Sequence, residues 1–138
     1  MNAVIYASKG GNTKKLAEAV AKEINTTAQS VKKIETFETT VDLLFIGASL
    51  YAEKIDGTLR RFLKELTSDR VKQVAVFGTA AGNGSAIDEV RDILKDSGIT
   101  VCDEVFQCRG SFLLANRGRP NQDDLKNVAE FVKKISEK

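Results

Sequence analysis

The sequence predicts an α/β three-layer sandwich, in which a five-stranded parallel sheet of order 2-1-3-4-5 is covered by helices on both faces. Three observations support this fold class. Strand-like and helix-like segments alternate along the chain, and the strand-like segments are apolar on both faces, as in buried parallel sheets. At 138 residues, with no linker or repeat, residues 1–138 are expected to form a single domain.

The elements of the first half follow from the pattern of apolar residues. Residues 3–7 form a short apolar strand, and apolar residues at positions 16, 17, 20, 21 and 24 recur at helical spacing. Residues 28–33 are a weaker strand. Residues 43–46 form an apolar strand that we expect to end at Gly47, and an apolar stripe at positions 59, 62, 63 and 66 predicts the second helix.

The second half continues this alternation. Residues 74–77 form an apolar strand that we expect to end at Gly78. Positions 87, 90 and 94 mark a helix that stops at Gly98, because helices commonly end at a glycine. Residues 100–107 form the fifth strand, and positions 125, 128, 132 and 135 mark the last helix. The acids at its start and the lysines at its end suit the helix dipole and indicate a solvated face.

Composition and charge narrow the classes of function. The net charge of +2, with interleaved acids and bases, does not favour a nucleic acid partner. No apolar run reaches the roughly 20 residues of a membrane span, and no signal peptide is evident, so we expect a cytoplasmic protein. Histidine is absent, which excludes a catalytic histidine and disfavours zinc. Cys102 and Cys108 are predicted to be buried thiols on one face of a strand, too far apart for a disulfide.

Three predicted loops at one edge of the sheet have unusual sequences. In a parallel sheet, the loops that leave the carboxyl ends of the strands lie at the same edge. Ligands bind there where the winding changes direction, between the first and third strands. Residues 8–13, 48–57 and 79–84 are the loops at that place. The combination of the three predicts a ligand site.

The first loop, SKGGNT at residues 8–13, has the features of an anion site. Gly10 and Gly11 let the backbone turn tightly and approach a ligand. Asn12 and Thr13 supply side-chain donors at the helix start, where free N–H groups and the helix dipole stabilise a phosphate. The alternative is a plain turn with an Asn/Thr cap. Neither the Gly-Lys-Ser/Thr ending of a Walker loop nor the three glycines of the dinucleotide fingerprint is present.

The other two loops are also unlike ordinary solvated turns. In GASLYAEKIDG, residues 47–57, Tyr51 either stacks on a flat aromatic ligand or packs over the next helix. In FGTAAGNG, residues 77–84, a run of small residues either lets a ligand lie against the backbone or forms a flexible turn.

These three motifs, in this order, resemble the flavodoxin family. Residues 6–13 are similar to its phosphate loop, residues 42–52 to its third strand and first flavin loop, and residues 77–82 to its fourth strand and second flavin loop. The resemblance covers nearly the whole chain and implies non-covalent FMN and electron transfer between redox protein partners. It implies these cofactor-binding residues: Ser8, Lys9, Gly10, Gly11, Asn12 and Thr13 in the first loop, Ser49, Leu50, Tyr51 and Ala52 in the second, and Thr79, Ala80, Ala81, Gly82 and Asn83 in the third.

Two alternative functions remain open. Residues 47–51 and 59–62 resemble part of the quinone-dependent protoporphyrinogen oxidases. That resemblance implies an FMN-dependent oxidoreductase acting on a quinone or porphyrinogen, with residues 107–112 as one wall of a substrate pocket. A flavin-free binding module is the other alternative. Its support is Gly10, which stands where flavodoxins usually have a second hydroxyl residue.

Overall fold

A computed structural model describes residues 1–8, 11–34, 37–50, 54–80, 86–109 and 118–136, without the side chain of residue 109. Five strands and four helices alternate along them: β1 (Asn2–Tyr6), α1 (Asn12–Glu23), β2 (Ala28–Ser30), β3 (Val41–Leu50), α2 (Gly57–Glu65), β4 (Val71–Ala80), α3 (Ile87–Leu94), β5 (Thr100–Arg109) and α4 (Gln122–Ser136). The order of elements is the predicted one, although β2 is shorter than expected and β5 runs two residues further.

All five strands pair in parallel in the order β2-β1-β3-β4-β5, which confirms the predicted sheet. The chain therefore winds outward in one direction from β1 to β2, and in the other direction from β3 to β5. The change of direction lies between β1 and β3, whose register pairs Tyr6 with Gly47. The carboxyl ends of these two strands define the crevice where ligands bind in sheets of this topology.

Strands β3 and β4 run past the glycines at which the sequence predicted their ends. They pair as far as Ser49 with Thr79 and Leu50 with Ala80. The prediction was wrong because Gly78 is needed for close packing between strands, not for a turn. A Cβ atom at Gly78 would lie only 2.1 Å from the carbonyl oxygen of Ala48. These four residues therefore stand on strand ends rather than in loops.

Apolar residues fill both faces of the sheet, as the sequence predicted. One layer contains α2 and α3 against strand residues such as Ile46 and Val76. The opposite layer contains α1 and α4 against Phe45 and Phe77, which are fully buried. Because successive residues of a strand face opposite layers, a single strand end presents side chains to both.

The two cysteines pack in the layer of α1 and α4, so the prediction that they share one face is confirmed. Both are free thiols, but they are half-buried rather than fully buried. None of the helices in the described parts of the chain is long and apolar enough to cross a membrane.

Candidate functional site

The structure brings the described parts of the three predicted loops together at the carboxyl edge of β1, β3 and β4. Eight of the predicted cofactor residues belong to the described chain: Ser8, Gly11, Asn12, Thr13, Ser49, Leu50, Thr79 and Ala80. The other seven lie outside the described residues: Lys9, Gly10, Tyr51, Ala52, Ala81, Gly82 and Asn83. The parallel pairing of β3 with β4 fixes the positions of Ser49 and Leu50, from the second loop, relative to Thr79 and Ala80, from the third.

The amino terminus of α1 opens directly onto this edge. Gly11 is the N-cap residue, with a φ of 85°, a left-handed conformation that glycine adopts without strain. Its N–H donates to the Ser8 hydroxyl oxygen at 3.0 Å. A Cβ atom at Gly11 would have no heavy atom of the described structure within 4 Å, apart from its chain neighbours, so there is open space beside this N-cap residue.

The start of α1 also differs from the other helix starts in its charge. Asp56 caps α2, accepting hydrogen bonds from the N–H groups of Thr58 and Leu59. Helices α3 and α4 each have two acids in the first turn. Helix α1 has no acid in its first turn, and its N-cap makes no side-chain hydrogen bond. Among the helices of the described chain, it is therefore the one with neither an acid in its first turn nor a carboxylate as N-cap.

Three hydroxyl groups meet beneath this terminus, one from each of the three predicted loops. The Thr13 hydroxyl is hydrogen bonded to that of Ser49 and, at 2.9 Å, to that of Thr79. The Ser49 hydroxyl makes a longer contact of 3.4 Å to the carbonyl oxygen of Ala7. All three side chains are buried. We call Thr13, Ser49 and Thr79 the hydroxyl cluster.

The contacts of the hydroxyl cluster provide acceptors for all three hydroxyl protons. If Ser49 donates to Ala7, then Thr13 donates to Ser49, and Thr79 donates to Thr13. Each of the three protons is then used within the protein. The Thr13 hydroxyl, which the resemblance assigns to a phosphate, thus has its described partners in the protein interior.

Leu50 and Ala80, the next residues along β3 and β4, face the opposite layer. Both side chains are buried in the core formed with α2 and α3. The alternation of side chains along a strand explains this, because Ser49 and Thr79 point towards α1. At positions 50 and 80, the backbone is the part of the residue nearest the edge.

A half-buried ion pair joins α2, and the end of the second loop before it, to the start of α3. Glu89, in the first turn of α3, accepts the Ile55 N–H at 3.0 Å through Oε1 and Arg60 Nε at 2.7 Å through Oε2. Arg60 Nη2 also contacts the carbonyl oxygen of Ile55 at 3.5 Å. We call Ile55, Arg60 and Glu89 the loop clamp.

A second ion pair fixes the start of α4. Asp124 accepts two hydrogen bonds from the Arg119 guanidinium, at 2.5 and 2.6 Å, and one from the Asn121 N–H. Asn121 Oδ1 in turn accepts the Asp124 N–H, which completes a reciprocal cap. Hydrogen bonds from Arg119 lower the pKa of Asp124 below its usual value. The solvated face expected for this helix start is therefore wrong at Asp124, which is buried.

The thiol of Cys108 lies close to this pair. Burial, and secondarily the negative charge of Asp124, raise its pKa to about 11. At neutral pH the group is a neutral thiol, which is a poor nucleophile. Gly110, Ser111 and Phe112, predicted as part of a substrate wall in one alternative, lie outside the described residues.

Comparison with known proteins supports the family that the motifs suggested. Residues 3–116 match the family model described as a flavodoxin domain, which is well over half of the chain. This chain belongs to the flavodoxin family. An uncharacterized protein of Methanocaldococcus jannaschii is 29% identical to this flavodoxin-family chain over 136 residues, covering 90% of this chain and 89% of the relative.

Solved structures resemble the flavodoxin-family chain over almost its full length. A flavodoxin from the domain Archaea superposes with a TM-score of 0.80 at 25% identity, covering 99% of this chain and 97% of the other. The oxidised flavodoxin 2 of Bacillus cereus superposes with a TM-score of 0.72 at 15% identity, with the same coverage. Because the identity to the Bacillus cereus flavodoxin is only 15%, that similarity concerns the fold alone.

Sequence reasoning missed the loop clamp and the Arg119–Asp124 pair. The partners Arg60 and Glu89 are 29 residues apart on different helices, and no spacing rule connects them. Asn121 and Asp124, in contrast, stand at the spacing of a capping box, so that part was visible in the sequence.

Proposed function

We propose that this protein binds FMN non-covalently at the carboxyl edge of β1, β3 and β4 and transfers electrons between redox protein partners. The observation that carries the proposal is the start of α1. It presents main-chain amides and a positive dipole end at the crevice of the sheet, and it has neither an acid in its first turn nor a side-chain cap to offset them. Because the chain belongs to the flavodoxin family, we propose that the anion bound there is the phosphate group of FMN.

The donors at this terminus fit a phosphate group. Main-chain N–H groups at the start of α1 would hold the phosphate, together with the side chains of Ser8 and Asn12. The hydroxyl cluster would form the floor of the site, because its members lie directly behind the first turn of the helix. Its buried hydrogen bonds fix the start of α1 and the ends of β3 and β4 relative to one another. Lys9 and Gly10 remain predicted phosphate contacts.

The ring would lie against the connections that leave β3 and β4. Leu50 and Ala80 would contribute main-chain groups there, since their side chains belong to the core. Tyr51, Ala52, Ala81, Gly82 and Asn83 remain the predicted neighbours of the ring. When bound, FMN supplies one- and two-electron redox chemistry, and the protein supplies position and electrostatic environment.

Absorption spectroscopy of the purified protein, with and without added FMN, tests the proposal. We expect flavin bands that remain with the protein after gel filtration, and stepwise reduction in two one-electron stages. Failure to retain FMN at micromolar concentrations would refute the proposal and favour the flavin-free module. Steady turnover with a quinone or a porphyrinogen would refute the carrier and favour the oxidoreductase.

A further inference from the structure

We infer that Gly47 is a positioning residue for the phosphate of FMN, because its missing side chain lets the start of α1 lie against β3. This inference rests on the proposed function and names the residue that sets the place of its anion site. Gly47 pairs with Tyr6 of β1 on one side and with Phe77 of β4 on the other. It therefore lies where the winding of the sheet changes direction.

Gly47 contacts both ends of the segment that joins β1 to α1. At the first end, the Ala7 N–H donates to the carbonyl oxygen of Gly47 at 3.0 Å. At the second end, the methyl group of Thr13 faces the place of the missing side chain, since a Cβ atom at Gly47 would lie 3.0 Å from Thr13 Cγ2. Ala7 and Thr13 are both buried. The segment that carries the predicted phosphate contacts therefore begins and ends against one residue.

A side chain at position 47 would also meet the residue on its other side. Its Cβ atom would lie 2.8 Å from two ring atoms of Phe77, which is fully buried in the layer of α1 and α4. Contacts this short require a displacement, and a closely packed ring has little space for one. The displacement is therefore expected to reach Thr13, the second residue of α1.

Thr13 would transmit this displacement to the amides of its helix. Its hydroxyl is bonded to Ser49 and Thr79, at the ends of β3 and β4. The first turn that contains Thr13 is closed by the Lys15 N–H, which donates to the carbonyl oxygen of Gly11 at 3.1 Å. Hydrogen bonds from main-chain amides to a phosphate depend strongly on distance and angle. A methyl group at position 47 is therefore expected to weaken binding of the phosphate more than binding of the ring.

The ratio of the dissociation constants of riboflavin and FMN tests this inference, since the two ligands differ only in the phosphate. We expect Gly47→Ala to lower this ratio about tenfold, because overpacking shifts the start of α1. Val132→Ala is the control for general destabilisation, since Val132 is buried in the same layer but stands on α4. We expect the control to keep the ratio of the wild type.

Thr13→Ser supplies a second background for the same comparison. Serine keeps the hydroxyl and removes the methyl group that a Cβ atom at position 47 would meet. In that background we expect Gly47→Ala to change the ratio less than about threefold, since the cycle isolates the contact between the two positions. An equal loss in both backgrounds would overturn the inference, because the effect would then run through Phe77 or the strands. An unchanged ratio in Gly47→Ala would overturn it as well.

A Phe77→Leu background keeps the test available if Gly47→Ala alone does not fold. Leucine lacks the two ring atoms that the new Cβ atom would meet, whereas the methyl group of Thr13 remains. Gly47→Ala is then compared in this background with and without Thr13→Ser, and the same outcomes support or overturn the inference.

Amide hydrogen exchange of the full chain without ligand separates this inference from the proposed function. We expect exchange of the Lys15 N–H to accelerate about tenfold in Gly47→Ala and to return towards the wild-type rate when Thr13→Ser is added. A wild-type chain that binds FMN no better than riboflavin, or that binds neither, refutes the proposed function. The exchange rates then still decide whether Gly47 positions the start of α1, and an unchanged rate at Lys15 would show that it does not.

Discussion

At the scale of single residues, the hydroxyl cluster connects the predicted binding loops to the fold. Thr13, Ser49 and Thr79 come from three separate elements, and their hydroxyls bond to one another in a buried space. A buried hydroxyl without a partner carries a desolvation cost of roughly 1–3 kcal/mol. Thr13 is the central member, because it makes the closer contacts to both others, whereas the hydroxyls of Ser49 and Thr79 are 3.5 Å apart.

We expect Thr13→Val to lower the free energy of unfolding by about 1–3 kcal/mol, because valine keeps the shape and removes the central hydroxyl. Urea denaturation followed by circular dichroism measures this change. Thr27→Val is the control: Thr27 is exposed, and its replacement should stay within about 0.5 kcal/mol. Equal, small effects of the two variants would show that the cluster does not stabilise the protein.

Asp124 makes a pH-dependent contribution to stability. Hydrogen bonds from Arg119 lower its pKa below the ordinary value of 3.8, so the folded state favours the carboxylate. Its stabilisation is fully present above about pH 5 and is lost as the pH falls through the lowered pKa. We expect Asp124→Asn to cost about 1–3 kcal/mol of unfolding free energy at pH 7 and much less near pH 2.

Denaturant titrations across this pH range measure the difference between the wild type and Asp124→Asn. The exposed neighbour Asp123 supplies the control, because Asp123→Asn should cost about 0.5 kcal/mol or less at any pH. A difference between the wild type and Asp124→Asn that does not change with pH would contradict the ion pair.

Cys108 is expected to react slowly with alkylating reagents. Burial raises its pKa to about 11, compared with 9.0 for an ordinary cysteine. Two pKa units reduce the thiolate fraction at pH 8 on the order of a hundredfold. In a Cys102→Ser variant, iodoacetamide labelling followed by mass spectrometry should therefore be far slower than for a free thiol. Labelling at the rate of free cysteine would contradict the burial of this group.

At the scale of elements, Gly47 and Gly78 let β3 and β4 pack closely. The two strands therefore stay paired beyond the points at which the sequence predicted their ends. Gly47 lies against the ring of Phe77, and Gly78 against the backbone of Ala48. Side chains at these positions would separate β3 from β4 where the strands deliver Ser49 and Thr79 to the hydroxyl cluster. Strand packing and site geometry therefore depend on the same two positions.

We expect Gly78→Ala to cost about 3 kcal/mol of unfolding free energy, because its Cβ would meet backbone that has no room to move aside. Thermal or chemical denaturation measures the loss. Gly57→Ala is the matched control, since a Cβ at Gly57 has nothing within 4 Å and stands at the start of a helix. We expect that variant to be neutral or slightly stabilised. Similar stability of both variants would show that β3 and β4 tolerate separation at Gly78.

At the scale of the whole molecule, the fold was predictable because its signals are repeated. Strands β1, β3 and β4 are rich in apolar residues on both faces and each helix carries one apolar stripe, so even with errors at the element ends the order of elements fixes a doubly wound sheet. The place of the candidate site follows from that topology. Ser8, Gly11 and Thr13 were predicted from a glycine-rich turn before an amphipathic helix, and the structure places them at or beside the start of α1; their role towards a ligand stays a prediction.

The remaining features depend on tertiary contacts that no local pattern encodes. Glycine after an apolar run is typical of the end of a strand, which is how the sequence predicted Gly47 and Gly78. In the structure, contacts with Phe77 and Ala48 of the adjacent strand explain why glycine stands at these two positions within the strands. The direction of the Thr13 hydroxyl depends on residues 36 and 66 positions away. The pairing of Arg60 with Glu89 likewise requires the packing of α2 beside α3.

The central claim is that the open start of α1 binds the phosphate of FMN, and parallel fluorescence titrations with FMN and riboflavin test it most directly. The two ligands share the ring and differ in the phosphate, so their comparison isolates the group assigned to this helix terminus. The account predicts micromolar or tighter binding of FMN and at least a hundredfold weaker binding of riboflavin, about 2.7 kcal/mol, the magnitude of one or two charge-assisted hydrogen bonds. Equal affinity for the two ligands, or binding of neither, would contradict it.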